Sequence, residues 1–162
     1  MKIVFLGVGE AFDENLSNTS LIVASKKANL LLDCGYSVPR KFWQYNSNPD
    51  FLDAIYISHH HADHYFGLPP VLLRMKGDGR KKKLTIICSK KVKNMLVKML
   101  ETAYQKFVRL DSFNFKIDFL VAREGKKKIF KDLILEFAPT MHSVFNLAIK
   151  ITDGEKSVCY SG

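Results

Sequence analysis

The chain has 162 residues, 25 Lys and Arg against 16 Asp and Glu for a formal charge of +9, and 47% hydrophobic residues, a balance that excludes disorder and suits one folded domain over residues 1–162. No apolar run approaches the roughly 18 residues that cross a bilayer, and the first dozen residues lack a secretory-signal pattern, so a cytoplasmic protein without a membrane partner is expected. Cys34, Cys88 and Cys159 are far apart and form no C-x-x-C pair, which points to buried small residues rather than disulfides or a thiolate metal site.

In chain order, Lys2 to Leu6 reads as a strand ending at the flexible Gly7-Val8-Gly9, and Ser20 to Ala24 and Leu30 to Leu32 as further strands of the same sheet. The spacing predicts a short helix over Val38 to Tyr45, a strand over Ala54 to Ile57, a helix over Tyr65 to Met75 around Pro69-Pro70, and a strand over Leu84 to Cys88. Lys90 to Phe107 carries Val92, Leu96, Met99, Leu100, Ala103 and Phe107 at helical spacing, one buried face between lysines. Phe113 to Val121, Ile129 to Phe137, Ala148 to Ile151 and Ser157 to Tyr160 are expected strands, the last two joined by an Asp153-Gly154 turn. This alternation predicts the α/β class.

The chemistry concentrates in Ser58-His59-His60-His61-Ala62-Asp63-His64, which holds four of the five histidines. After a strand ending near Ile57, His59 and His61 project the same way while Asp63 and His64 approach from another side, so two sets of ligands share one loop. Imidazoles with a carboxylate suit zinc, iron or manganese better than calcium or magnesium. His60, between two candidate ligands, is expected to point away. Two histidines leave a cation short of a third ligand, and His142, beyond the strand Leu133 to Phe137, is the histidine left to supply it. Ser58 and Ser143 read as hydrogen-bonding loop residues.

The motif His59-x-His61-x-Asp63-His64 with Tyr65-Phe66-Gly67-Leu68-Pro69 resembles the signature of the metallo-β-lactamase-fold hydrolases, especially the ribonuclease Z-like branch. Phe5 to Gly9, Asn18-Thr19-Ser20, Leu32-Asp33-Cys34-Gly35 and Pro139 to Ser143 follow in that branch's order. The resemblance implies an αβ/βα sandwich with His59, His61 and His142 on a first metal and Asp63 and His64 on a second, zinc or else manganese or iron. It implies a metal-dependent hydrolase of phosphodiester bonds, acting through a metal-bound hydroxide, with Asp63 as the catalytic proton acceptor. Asp33 is either a turn-former or, as the resemblance implies, a residue behind the ligands that orients the motif loop. In the branch an aspartate bridging both metals follows a strand like Val158 to Gly162. A protein whose second half-sandwich is incomplete, holding at most one metal well, weakly active and self-associating, is therefore expected.

Three basic clusters bear on substrate: Arg80, Lys81, Lys82 and Lys83; Lys90, Lys91 and Lys93; Lys126, Lys127 and Lys128. They are either an RNA-attracting surface or a plain solubilising one. The resemblance makes transfer RNA 3′-processing an alternative to general phosphodiester hydrolysis. The short Thr152 to Lys156 connection, where many tRNA-processing members insert a clasping arm, weighs against it. A non-catalytic module binding metal and RNA is the remaining alternative.

Overall fold

The computed structural model describes residues 1–104 and 112–162. Strands β1 (Lys2–Gly7), β2 (Ser20–Ala24) and β3 (Asn29–Leu32) form an antiparallel meander, and helix α1 (Val38–Tyr45) leads to β4 (Ala54–Ile57), which pairs parallel with β3. Helices α2 (Ala62–Tyr65) and α3 (Leu68–Gly77), then β5 (Leu84–Cys88), α4 (Lys90–Tyr104) and β6 (Ile117–Val121) complete a six-stranded sheet in the order β1 to β6. Strands β7 (Lys128–Phe130), β8 (Leu133–Thr140), β9 (Asn146–Thr152) and β10 (Ser157–Tyr160) form a second, antiparallel sheet ordered β10-β9-β8-β7.

The period of two along each strand sets the layers. In β4 all four residues are buried, as befits a central parallel strand covered on both faces. Ile55 and Ile57 join the helix-side core with Phe42, Leu72 and Leu96, whereas Ala54 and Tyr56 turn into a second core against Leu135, Phe137 and Ile149 of the other sheet. The same division places Ile22 and Leu31 under the helices and Val23, Leu30 and Leu32 between the sheets. Helix, sheet and sheet thus stack as three layers, and the C-terminal ends of β3 and β4 open at the edge where β8 turns into β9.

Several predicted elements change shape. The expected Tyr65 to Met75 helix is two helices broken at Phe66-Gly67, because Gly67 lies so close to the β3–α1 turn that an added Cβ would come 2.1 Å from Gly35 O. The expected Ile129 to Phe137 strand is the β7–β8 hairpin. Lys131 takes a positive φ of 54° at its turn, and Asp132 Oδ1 accepts the Ser25 hydroxyl at 2.8 Å. Strand β6 starts at Ile117 rather than Phe113; Phe113 and Phe115 instead pack edge to face, their centroids 5.4 Å apart, in the helix-side core. Helix α4 buries Val92, Leu96 and Leu100, Ala103 is exposed, and the Phe107 expected to join that face lies outside the described residues. Among the described residues no helix is long and apolar enough to cross a membrane.

Candidate metal centre

The floor of the site is Asp33, fully buried at the end of β3. Its φ of 56° is a left-handed conformation that aspartate tolerates better than most residues. Its N–H donates to Tyr56 O at 2.8 Å, which holds the carboxylate under the end of β4. Oδ1 accepts the Ser58 N–H at 2.8 Å, while Oδ2 accepts the Ser58 hydroxyl at 2.6 Å and the Tyr160 phenol at 2.7 Å and lies 2.6 Å from His64 Nδ1. One carboxylate therefore ties together β4, the histidine motif and β10. Burial first, and then the Asp33 charge, push Tyr160 up, so its phenol keeps the proton it donates.

Two glycines let the motif loop seat on this floor. Cys34 N–H donates to His64 O at 2.7 Å and Gly67 N–H to Cys34 O at 2.9 Å. A Cβ on Gly35 would fall 1.9 Å from Asp63 O, so the close approach of the two backbones requires glycine there.

Above the floor three imidazoles converge. His59 Nε2 and His61 Nδ1 are 3.1 Å apart, and His142 Nε2 lies 3.2 Å from the first and 3.1 Å from the second. Delivery of His142 across 83 residues rests on the start of β9. Leu147 N–H donates to Ser58 O at 3.3 Å, and the Tyr56 phenol donates to Leu147 O at 2.5 Å. Asn146 Nδ2 donates to Thr140 Oγ1 at 2.5 Å and to Ser161 O at 2.8 Å, closing the strand ends beneath the His142 loop.

The tautomer of His59 follows from the chain of donors. The Ser58 hydroxyl gives its one proton to Asp33, so the His59 Nδ1 lying 3.0 Å from Ser58 Oγ must be the donor to that oxygen. That leaves the Nε2 lone pair facing the other two rings. Burial, followed by the charge of His64, lowers His59 to about 4, and the ring is neutral at pH 7.

Three facing ring nitrogens share too few protons to satisfy one another as hydrogen bonds. In a tetrahedral shell with nitrogen about 2.0–2.1 Å from the ion, neighbouring ligands stand about 3.3 Å apart. The observed edges of 3.1–3.2 Å therefore fit a borderline divalent cation.

Beside the triangle, His64 is clamped between carboxylates, with Nδ1 on Asp33 and Nε2 3.0 Å from Asp63 Oδ2. Burial pulls His64 down, but its hydrogen bond to Asp33 and the charges of Asp33 and Asp63 outweigh this and hold its pKa above the ordinary histidine value. His59, His61, Asp63, His64 and His142 line one cleft of about 440 Å³. His60 stands outside the triangle, its ring centroid 6.0 Å from that of His61 and its Nδ1 buried with no hydrogen-bond partner among the described residues.

The first basic cluster lies elsewhere. Lys81 to Lys83 precede β5, at the end of the sheet opposite the motif. Arg80, expected on an RNA-attracting surface, is fully buried. Its guanidinium donates to Pro49 O at 2.5 Å, Leu52 O at 2.8 Å and Lys83 O at 2.9 Å, because the loop before β4 turns two carbonyls inward, and the residue before β5 a third, that need a donor. Lys82 pairs with Asp53 at 2.6 Å and Lys83 with Asp118 at 3.3 Å. Lys90 and Lys91 open α4 after β5, at the motif's end of the sheet, and both are exposed. Sequence reasoning missed Tyr160 and Asn146. A Tyr or Asn at a strand end carries no signal until the partner strand is known.

A family model described as Anti-Pycsar protein Apyc1 matches residues 1–162. A ribonuclease Z of Methanococcus aeolicus is 30% identical over 148 residues, covering 89% of this chain and 44% of its own. An Anti-Pycsar protein Apyc1 of Bacillus phage BSP38 is 27% identical over 176 residues, covering 99% of this chain and 67% of its own. The crystal structure of human tRNase Z, short form, superposes with a TM-score of 0.81 at 16% identity, covering 100% of this chain and 69% of that one. The chain has the metallo-β-lactamase fold. It spans 28–47% of the length of the curated ribonuclease Z relatives it matches.

Proposed function

We propose, from the premise that the chain belongs to the Anti-Pycsar protein Apyc1 family, that it hydrolyses phosphodiester bonds with the help of divalent cations. The observation that carries this is the triangle of ring nitrogens from His59, His61 and His142, with edges of 3.1–3.2 Å. These three would hold a first cation, and Asp63 with His64 a second. Bound there, the cations would lower the pKa of a water towards about 7 and offset charge developing on the phosphoryl oxygens.

The chain's own residues do the rest. Ser58, fixed by Asp33, keeps the His59 proton on Nδ1 and its Nε2 lone pair forward. Asp33 holds the His64 ring by Nδ1 and turns Nε2 towards Asp63. Asp63 lines the cleft beside the triangle and is the carboxylate that would accept the attacking water's proton. Cys34 and Cys88 take no part as nucleophiles: burial pushes Cys34 far up and Cys88 to about 12, so both stay protonated.

Relatives named ribonuclease Z make RNA the second substrate class, with Lys90 and Lys91 the basic residues at the motif's end of the sheet. Chelator-sensitive cleavage of bis(p-nitrophenyl) phosphate, restored by zinc or manganese and abolished by His61→Ala, is the expected result. Cleavage indifferent to chelator, or no binding of either metal, would overturn the reading.

A further inference from the structure

The two sheets end side by side. The six-stranded sheet stops at β6 and the antiparallel one at β7, and neither strand has a further partner among the described residues. In a parallel ladder, alternate residues of a strand bond to its neighbour. Leu84 N–H donates to Lys116 O and Ala122 N–H to Cys88 O, both at 2.9 Å, so Asp118 and Leu120 between them turn their backbone groups to β5. The N–H and C=O groups of Ile117, Phe119 and Val121 therefore point outward, a row that matches the needs of one more strand.

Beside this edge the sheets part to leave a cleft of about 570 Å³. Thr85, its ladder partner Asp118 and then Leu120 form one wall, and Lys128 and Phe130 of β7 the other. Leu120 and Phe130 pack on the core between the sheets, so the bottom of the cleft is apolar. Thr85 is only 6% exposed, and its hydroxyl has no hydrogen-bond partner among the described residues. The rim is cationic. Arg123 and Lys128 are exposed and have no ion partner among the described residues, and Lys83 shares Asp118 with Lys116, both at 3.3 Å. On the other face of the strand Lys93 Nζ lies 4.8 Å from the centre of the Phe119 ring. Lysines along an edge repel a second basic edge, and two copies of this chain would bring like charges together here. A strand that carries carboxylates turns the same charges into attraction.

We infer that β6 and the cleft beside it form a docking edge for an acidic peptide segment of a partner protein, which joins the six-stranded sheet in extended conformation. Its backbone pairs with Ile117, Phe119 and Val121, its alternate side chains enter the cleft over Leu120 and Phe130, and its carboxylates meet Arg123 and Lys128. The edge is two strands away from β4, and the cleft shares no residue with the metal centre, so the inference is independent of the phosphodiesterase reading.

The test is fluorescence anisotropy of the full chain with a labelled peptide of alternating glutamate and valine. The comparison peptides are the same sequence N-methylated at every residue, which keeps the charge and loses the backbone donors, and its lysine and valine counterpart. The acidic peptide is expected to bind about tenfold or more tightly than either. Arg123→Glu combined with Lys128→Glu should weaken it about tenfold. Val121→Pro should weaken it about 2- to 10-fold, because the N–H it removes points outward, where an edge strand tolerates proline. Thermal unfolding is expected to stay close to the wild type in both variants; if Val121→Pro unfolds, the charge reversal decides alone. Equal binding of the methylated peptide, no binding of the acidic one, or binding unchanged by the charge reversal overturns the inference. So does an oligouridine that binds more tightly than the peptide and is lost in the charge-reversed variant, since the face would then be a nucleic-acid surface. A mass halved by Val121→Pro in light scattering overturns it too, in favour of an interface between copies.

Discussion

The histidine motif after β4 and the basic segment before β5 are both dense in charged and titratable groups, and the fold uses them in opposite ways. The motif follows the C-terminal end of a parallel strand, where β3, β4 and the β8–β9 turn meet, and its side chains face one another across a cleft. The basic segment lies at the N-terminal end of β5, where Arg80 is consumed by three backbone carbonyls and Lys82 and Lys83 by Asp53 and Asp118. Charge density alone therefore does not mark a site. What marks it is a set of polar atoms that the protein orients and leaves unsatisfied by one another.

The sharpest way to break this contrast is Asp33→Ala. It strands Ser58, Tyr160 and His64 at a buried position and is expected to cost about 3–5 kcal/mol, read from urea unfolding of chelator-treated protein. A loss below about 1 kcal/mol would mean that the floor is not what ties the sheets together. His142→Ala should weaken zinc binding by more than about 100-fold, beyond what residues behind the ligands usually carry. It should leave metal-free stability nearly unchanged, since His142 is exposed. Competition with a chelator measures the first effect and thermal unfolding the second.

Arg80→Ala should destabilise by about 2–4 kcal/mol through its orphaned carbonyls, with no change in the salt dependence of RNA binding; a reduced salt slope would return Arg80 to the surface. A pH series separates the two motif histidines in metal-free protein. The folded pKa of His64 is raised, so its contribution is fully present below the unfolded value near 6.5 and is lost as pH rises through the folded value. His59, lowered to about 4, works the other way and costs stability as pH falls from about 6.5 to 4. The stability gap between wild type and His64→Gln should accordingly shrink from pH 6 to pH 9. A gap constant across that window would deny the clamp. The smallest effect is expected of Lys83→Ala, whose pair with Asp118 is screened by solvent, so that thermal unfolding of the variant should nearly coincide with that of the wild type.

Much of the fold was legible. Seven of the strands and helix α1 lie within one or two residues of their expected bounds, because alternating or helical apolar spacing reports directly which face is buried. The Lys131-Asp132 turn was not, since a lysine at positive φ bears no turn signature and is held by Asp53 and Ser25 side chains remote in sequence. The break at Gly67 was hidden for a related reason: it is imposed by the backbone of Gly35, 32 positions earlier.

For the site, residue types, local spacing and the family resemblance nominated His59, His61, Asp63, His64 and His142 as candidate ligands, since ligand chemistry is written in the side chains themselves. Whether three imidazoles meet, which of their nitrogens face inward and what floor supports them depended on contacts between strands far apart in the chain. The proton on His59 is set by Asp33 through Ser58, and the reach of His142 by Tyr56 and Leu147. The same holds for the two features no motif announced, the burial of Arg80 and the unpaired edge of β6. Exposure and hydrogen-bond partnership belong to the packed chain, and a linear pattern constrains only those properties that a residue keeps with its nearest neighbours.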